Sequence, residues 1–399
     1  MVEFNFRPEE QLLILCARVK MDPKTAVDVK TLLQENLDYV YLLEIAYKHG
    51  MMPLLFWHLD SCCADAIPPW VMVKLRDQFH QNSRRNLLLT GELLKLLEAF
   101  HANNIPVIPF KGPVLTNLIY QNLALRQFRD LDLLCLQPDV PKAKELLISM
   151  GYQPQLHLTG GREEAFMKSQ CELSFLKEDG SIVELHWGIT PKYFAFPLDP
   201  ESLWDRLEPV YLAGRKILAL SIGNLLLTLC VHGAKHLWDR LEWICDISEL
   251  IRACPDMKWR EVVDRAAVLR SQRMLLLGLF IANDLLGASL PEEVSRKIED
   301  DSVIIKELGH DIYDRLFQKP KDFLFDQSLF RPLHLKMREC WQDRINYCYR
   351  AMMVPTDADW ESFPLPDSFS FFYYIIRPLR LVSKYFNKGV KHLLGRDGS

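Results

Sequence analysis

Apolar residues recur at helical spacing near both ends of the chain. The segments EEQLLILCARV and VDVKTLLQENLDYVYLLEIAYKHG place them at i, i+3, i+4 and i+7, as a helix with one buried face does. The run NSRRNLLLTGELLKLLEAFHANN has the same period and ends at Asn103 and Asn104, a suitable C-cap. The period returns from residue 219 onward. These patterns predict an N-terminal helical region over residues 1–81 and a C-terminal helical region over 191–399.

Between these regions the pattern changes to short apolar runs that are typical of buried strands. IPVIPF at 105–110 leads into a Lys-Gly-Pro turn, and FRDLDLLCL at 128–136 is a second strand. CELSFL at 171–176 and SIVELHW at 181–187 are separated by KEDG and predict a hairpin. We therefore expect an α+β fold, with a short mixed sheet flanked by helices over residues 82–190. The strands are too few for a doubly wound parallel sheet.

The composition is that of an ordinary globular protein. The 399 residues are 49% hydrophobic and 25% charged, and the net charge of −4 gives no basic field for nucleic acid. Ten cysteines without a C-x-x-C pair predict reduced thiols and a cytoplasmic location. The longest apolar run, at 274–282, is about half the roughly 20 residues that a transmembrane helix needs. We expect no transmembrane segment and no nucleic-acid partner.

Acidic side chains alternate with apolar ones on two of the predicted strands. Asp130 and Asp132 project from one face of their strand, and Glu184 and His186 share a face of theirs. If the strands are neighbours, three carboxylates converge and repel one another unless a cation lies among them. Mg²⁺ suits such oxygens and completes its shell with phosphates. The alternative is a solvated strand edge, which is the commoner setting for an Asp-x-Asp pair.

A strand–glycine–helix turn precedes the acidic strand. Gly112 lets the backbone approach a ligand, Lys111 adds a positive charge, and the helix that is expected to follow offers its N-terminus to a phosphate. Pro113 removes one of the N–H groups of that N-terminus. The same turn also occurs for structural reasons alone.

A cationic cluster lies on a later helix, in the motif His-Gly-x-Lys-His-x-Trp. His232 and His236 share one helix face, at a spacing that could bind zinc. Gly233 stands where H-E-x-x-H has glutamate, and Lys235 disfavours a dication, so the cluster suits a triphosphate better. The alternative is a hydrated cationic patch.

The C-terminal stretch FSFFYYIIRPLRLVSKYFNKGVKHLLGR mixes aromatic and basic residues. Its spacing predicts an amphipathic helix after Pro378. That helix could contact an anionic membrane surface peripherally or hold an acidic acceptor. The alternative, which we favour, is a helix packed on the body of the protein with its lysines reaching to solvent.

These motifs together resemble the uncharacterised nucleotidyltransferase family of the DNA polymerase β-like superfamily. The resemblance is carried by FKGPVLTNLIYQNLALRQFRDLDLLCLQPDVPKAKELLISMGYQP, SIVELHWGI and HGAKHLWDRLEWICDISELI, and it extends over most of the chain. It implies a minimal nucleotidyltransferase core. It also implies transfer of a nucleoside monophosphate from an NTP, with ATP as an expected donor, to an unidentified acceptor, releasing pyrophosphate.

The resemblance also implies roles for individual residues. Asp130, Asp132 and Glu184 would be catalytic and would bind Mg²⁺, with Mn²⁺ as the alternative ion. The residues expected to line the nucleotide site are Lys111, Gly112, Arg126, His186, Lys235 and His236. The acceptor would be a small molecule, a glycan precursor, a peptide or a protein. A non-catalytic relative that binds a nucleotide or a regulatory partner is the alternative function.

Overall fold

The computed structural model describes residues 6–198, 200–318, 332–362 and 365–393. The N-terminal amphipathic segments form helices, as predicted, because each buries an apolar stripe against its neighbours. The helices before the sheet are α1 (Pro8–Cys16), α2 (Pro23–Leu32), α3 (Tyr39–Lys48), α4 (Met52–Cys62) and α5 (Pro69–Ala102).

Three helices lie within the core region, and the others follow it. The core helices are α6 (Gly112–Leu115), α7 (Val140–Ser149) and α8 (Gly160–Ser169). The C-terminal helices are α9 (Ile222–Lys235), α10 (Leu241–Ala253), α11 (Trp259–Val268), α12 (Gln272–Leu286), α13 (Glu292–Asp300), α14 (Ser302–Leu316), α15 (Pro332–Lys336), α16 (Trp341–Met353), α17 (Asp357–Ser362) and α18 (Tyr373–Leu393).

The core sheet is mixed, which confirms the α+β prediction. Its strands are β1 (Val107–Pro109), β2 (Asp130–Cys135), β3 (Gln153–Pro154), β4 (Glu172–Leu176) and β5 (Ile182–His186), in the spatial order β1-β2-β5-β4-β3. The β2 and β5 strands are parallel, and the other neighbours are antiparallel, including the predicted β4–β5 hairpin. Strands β2 and β5, which carry Asp132 and Glu184, are therefore direct neighbours.

The two faces of this sheet belong to different hydrophobic cores. Leu131, Leu133 and Leu185 pack with the C-terminal half of α5, whose buried leucines face them. The alternate residue Leu134 joins the larger core that contains the N-terminal and C-terminal helices. Asp132 lies on the same face as Leu134, because side chains alternate along a strand. The sheet thus carries its acids on the face toward the C-terminal helices.

Helix α5 is longer than the sequence pattern indicated. It runs without a break through residues 81 and 82, where we placed the boundary between the helical region and the core, and it ends at Asn103 as predicted. Its buried Asn82 and Asn86 side chains donate to main-chain carbonyls at residues 123, 124 and 126. The helix therefore fixes the loop that leads into β2.

Two features of the C-terminal region differ from the prediction. Strands β6 (Leu207–Leu212) and β7 (Arg215–Leu220) form a separate hairpin that the sequence pattern did not indicate. Helix α18 begins at Tyr373, before Pro378 rather than after it, so the predicted start is wrong. Pro378 lies inside the helix, where it cannot donate the main-chain hydrogen bond to the carbonyl four residues earlier.

The part of α18 that the structure describes packs with its arginines toward the protein. Arg377 and Arg380 both pair with Asp359, which is fully buried, at 2.8 and 2.6 Å. On the same helix Leu379 and Val382 are 65% and 67% exposed. The buried face of this part of the helix therefore combines Arg377 with apolar residues, and other apolar side chains meet solvent. None of the helices in the described ranges has the length and apolarity to cross a bilayer.

A buried ion pair connects the loop before β2 to α10. The Nε and Nη2 atoms of Arg126 donate to the two carboxylate oxygens of Asp246 at 2.8 and 2.9 Å, and the Tyr120 hydroxyl donates to the same carboxylate. Burial alone would lower the pKa of Arg126, but Asp246 outweighs it and raises that pKa. The bidentate pair holds the loop from the side opposite α5.

We expect Asp246→Asn to lower the free energy of unfolding by about 3–5 kcal/mol, because it leaves the Arg126 guanidinium buried without a counter-charge. Urea denaturation followed by circular dichroism measures this loss. Asp264→Asn is the control, since Asp264 pairs with Arg260 at 3.9 Å on the surface and should contribute at most about 1 kcal/mol. Equal losses in the two variants would contradict the role of the buried pair.

Candidate active site

The polar face of the sheet and helices α9 and α10 enclose a cavity of about 350 Å³. The β1–α6 turn and the loop before β2 complete its walls. All of the site residues predicted from the sequence line this one cavity, namely Lys111, Gly112, Arg126, Asp130, Asp132, Glu184, His186, Lys235 and His236. Three separate stretches of the chain therefore meet there.

The acidic side chains meet because β2 and β5 are parallel neighbours. Asp132 is paired in register with Glu184, and both strands present these residues to the cavity. The Nε2 atom of His186 lies 3.3 Å from Asp132 Oδ1 and 3.4 Å from Glu184 Oε2. One ligand atom from each of these three residues lies within 4.8 Å of the others. This is a group of donors that could hold a metal ion.

Asp130 lies at the start of β2, beside that group rather than within it. The sequence predicted Asp130, Asp132 and Glu184 as the metal-binding acids, whereas the three donors that the structure brings closest together include His186 instead of Asp130. Burial and the neighbouring Asp132 and Glu184 raise the pKa of Asp130 to about 6. The role of Asp130 as a ligand stays a prediction.

Two cationic groups neutralise Asp132. The ammonium of Lys111 is 3.2 Å from Asp132 Oδ1, and the His186 ring shares that oxygen. Burial would raise the pKa of Asp132, but Lys111 and His186 outweigh it and lower that pKa to about 2. Burial would also lower the pKa of Lys111, which Asp132 and Glu172 raise instead. Positive charge is therefore concentrated where the acids cluster.

Glu172 is a functional candidate that our reading of the sequence missed. It lies on β4, opposite His186 in the antiparallel register, and its Oε2 is 3.1 Å from His186 Nδ1. Burial would raise the pKa of Glu172, but His186 and Lys235 lower it. A four-residue KEDG loop would pair Glu172 with Leu185, so the observed register, which is shifted by one residue, is what brings Glu172 opposite His186.

The helical wall of the cavity carries aromatic and basic side chains. The ring of His232 on α9 lies 4.7 Å from that of His236, the C-cap residue of this helix, and each is close to the indole of Trp243 on α10. Burial and Lys111 lower the pKa of His232 well below its usual value. Among the described residues, the group with three metal-binding atoms is the one on the sheet, and neither helix histidine belongs to it.

Gly233 has a packing role in the His-Gly-x-Lys-His-x-Trp motif. A Cβ at this position would lie 2.5 Å from the Trp238 ring, which is fully buried against α9. Glycine at this position therefore allows α9 and the following turn to pack closely. The departure from H-E-x-x-H at this position therefore has a structural cause.

The turn after β1 requires glycine, but the helix that follows it is too short to present a strong positive dipole to a ligand. Gly112 has φ +50°, and a Cβ there would lie 3.2 Å from the Asp130 carbonyl oxygen. The sequence predicted a helix over the following residues, but α6 has four residues and continues as one π-helical turn at Thr116–Tyr120. So short a helix has a weak dipole. Lys111 is therefore the main source of positive charge in this turn.

The sequence profile of the uncharacterised nucleotidyltransferases matches residues 35–287, which include every residue that lines the cavity. The chain belongs to this family. The chain is also similar to the crystal structure of the lincosamide antibiotic adenylyltransferase LnuA in its lincomycin-bound form. That match has 19% identity and a TM-score of 0.27, and it covers 40% of this chain and 94% of the other. No curated protein matches the chain at a significant level.

We expect Gly112→Ala to lower the free energy of unfolding of the protein by about 2–3 kcal/mol, since it adds a close contact with the Asp130 carbonyl to the cost of a left-handed residue. Gly214→Ala is the matched control. Gly214 has φ +79° in the β6–β7 turn, with open space around its Cβ position, so only the backbone cost of about 1 kcal/mol applies. Thermal and urea unfolding measure both values, and equal losses would argue against a contact at Gly112.

Proposed function

We propose that the protein transfers a nucleoside monophosphate from an NTP, such as ATP, to an acceptor and releases pyrophosphate. The observation that supports this function best is the pairing of Asp132 with Glu184 across parallel strands, facing Lys111 and Lys235 in one cavity. A volume of about 350 Å³ is within the range of small-molecule sites. Acids for a cation and lysines for phosphates are the two charges that an NTP–metal complex requires.

The donor set fits a divalent cation. The carboxylates of Asp132 and Glu184 and the imidazole of His186 converge, and Asp130 adds a fourth side chain nearby. Carboxylate oxygens suit Mg²⁺ and Mn²⁺. When bound, such an ion would offset phosphate charge and polarise the phosphoryl group. In this proposal Asp130, Asp132 and Glu184 hold the ion.

The basic residues of the cavity would bind and orient the triphosphate. Lys111 approaches the acids from the β1–α6 turn, and Lys235 and His236 face them from α9. We place the phosphates between these two walls, where charge-assisted hydrogen bonds are strongest. Two nitrogens of Arg126 are engaged with Asp246, so Arg126 would act mainly by its positive charge and by holding the loop.

The transfer requires a nucleophilic oxygen or nitrogen on the acceptor. This atom forms a bond to the α-phosphorus while the bond from that phosphorus to the bridging oxygen of the leaving pyrophosphate breaks. Glu184 would take the acceptor's proton, since its side chain is 27% exposed whereas that of Asp132 is 4% exposed. Positioning by the two walls and the fixed charges would supply most of the rate.

We expect Asp132→Asn to reduce transfer of labelled nucleoside monophosphate by at least about a hundredfold, because the change removes a charge that the cation requires. The assay uses each α-phosphate-labelled NTP with Mg²⁺, first with the protein alone and then with cell extract, to show where the label goes.

Asp264→Asn is the control for Asp132→Asn, because Asp264 is exposed on α11, outside the cavity. Full activity of both variants would contradict the proposed function. Calorimetry with each NTP distinguishes the alternative, a non-catalytic binding protein. Nucleotide binding that does not depend on Mg²⁺, without turnover, would support that alternative.

We also propose that α18 contacts anionic membrane surfaces. Its apolar residues Leu379 and Val382 face solvent while its arginines pair inward with Asp359. The sequence from 368 to 393 contains no aspartate or glutamate and carries Arg377, Arg380, Lys384, Lys388 and Lys391. An exposed apolar stripe on a basic helix is the pattern of interfacial helices.

We expect the protein to sediment with vesicles that contain phosphatidylserine and to do so less at high salt. Leu379→Glu should weaken this binding about tenfold or more, since it removes the burial of one leucine side chain in the lipid interface. Val303→Glu on α14 is the control, because Val303 is 81% exposed and distant in sequence from α18. Equal sedimentation of all three proteins would exclude membrane contact through α18.

A further inference from the structure

We propose that Glu172 orients His186 so that its Nε2 atom is a metal ligand beside Asp132 and Glu184. This inference rests on the proposed function and refines its metal site. It changes the expected set of three carboxylates into a mixed set of oxygen and nitrogen donors. It also gives Glu172, a residue on the neighbouring strand, a positioning role.

The contact between Glu172 and His186 is built into the β4–β5 hairpin. The two residues face each other in the antiparallel register, and Glu172 Oε2 lies 3.1 Å from His186 Nδ1. His186 is 3% exposed, and its ring packs roughly perpendicular to that of Phe110 with the ring centroids 5.1 Å apart. A side chain held by a carboxylate on one side and an aromatic ring on another has one preferred orientation.

That orientation directs the second ring nitrogen at the acids. Nε2 lies 3.3 Å from Asp132 Oδ1 and 3.4 Å from Glu184 Oε2. Neighbouring donors of an octahedral ion with bonds of about 2.1 Å are about 3 Å apart, so small shifts suffice for all three to bind one ion. Glu172 Oε2, at 3.1 Å, favours a proton on Nδ1, and an ion that binds Nε2 displaces the proton that this nitrogen carries in the imidazolium.

Carboxylate, histidine and metal form a common arrangement in metalloproteins. The carboxylate fixes the tautomer and makes the imidazole a stronger ligand, and its loss typically weakens metal binding by about 10–100-fold. The competing interpretation uses the same contacts, with His186 as an imidazolium that neutralises the acids. The two interpretations differ in whether Nε2 binds the ion.

A nitrogen ligand also changes the expected metal preference. Imidazole suits first-row transition ions better than Mg²⁺, whereas carboxylates accept both. We therefore expect the protein to bind Mn²⁺ more tightly than Mg²⁺. His186→Gln should reduce that difference, because it leaves oxygen donors as the dominant ligands.

The decisive experiment is pulsed electron paramagnetic resonance of the full chain loaded with Mn²⁺. We expect modulation from a directly bound ¹⁴N in the wild type and its loss in His186→Gln. Growth with ¹⁵N-labelled histidine should convert the ¹⁴N signal into a ¹⁵N signal, a test that needs no substitution and so does not depend on a variant that folds. His232→Gln is the matched control for a histidine in the same cavity and should retain the signal.

Calorimetry tests the positioning role of Glu172. We expect Glu172→Gln to raise the dissociation constant for Mn²⁺ by about 10–100-fold. Glu178→Gln, in the exposed turn of the same hairpin, should leave it unchanged. Circular dichroism of both variants checks that the fold is retained. Equal affinities in the two variants would overturn the role of Glu172.

The outcomes separate this inference from the proposed function. Bound Mn²⁺ without nitrogen modulation in the wild type would overturn the ligand role of His186 and leave nucleotide transfer unaffected. Nitrogen modulation without transfer from any NTP would support the metal site and count against the proposed reaction. Absence of Mn²⁺ binding, with and without nucleotide, would overturn both.

Discussion

The parallel pairing of β2 with β5 is the constraint on which the site depends. The strands are far apart in the sequence, with two further strands and two helices between them. Their register sets Asp132 beside Glu184, and like charges at this distance require compensation. Lys111 and His186 provide it within the protein. The β1–α6 turn, the loop before β2 and helices α9 and α10 form the other walls of the cavity around these charged side chains.

The helical regions on both sides support the cavity. Asn82 and Asn86 of α5 hold the loop before β2 from one side, and Asp246 of α10 holds Arg126 from the other. The N-terminal helices reach α10 as well. Gly50 leaves room for the Glu242 side chain, which a Cβ would overlap, and burial raises the pKa of Glu242 to about 7. The helices are thus part of the structure that shapes the site.

The sequence predicted most of the site because its signals are local. Alternation in Asp-x-Asp and Glu-x-His identified the acids, and the glycine after β1 identified the turn. Glu172 was missed because its partner is set by cross-strand register, which alternation alone does not reveal. The β6–β7 hairpin and the start of α18 were missed for a related reason. Arg377 is stabilised there by Asp359, a contact between sequence segments that local periodicity cannot indicate.

The two faces of β2 connect the packing of the apolar core to the position of the acidic side chains. Leu131 and Leu133 point to one core while Asp132 between them points to the cavity. A slip of one residue would send the aspartate into the leucine layer and a leucine among the polar side chains of the cavity. The packing of these leucines against α5 therefore fixes the strand register that directs the carboxylates into the cavity. A repacked interior that shifted this register would displace the carboxylates from the cavity with every polar residue still in the sequence.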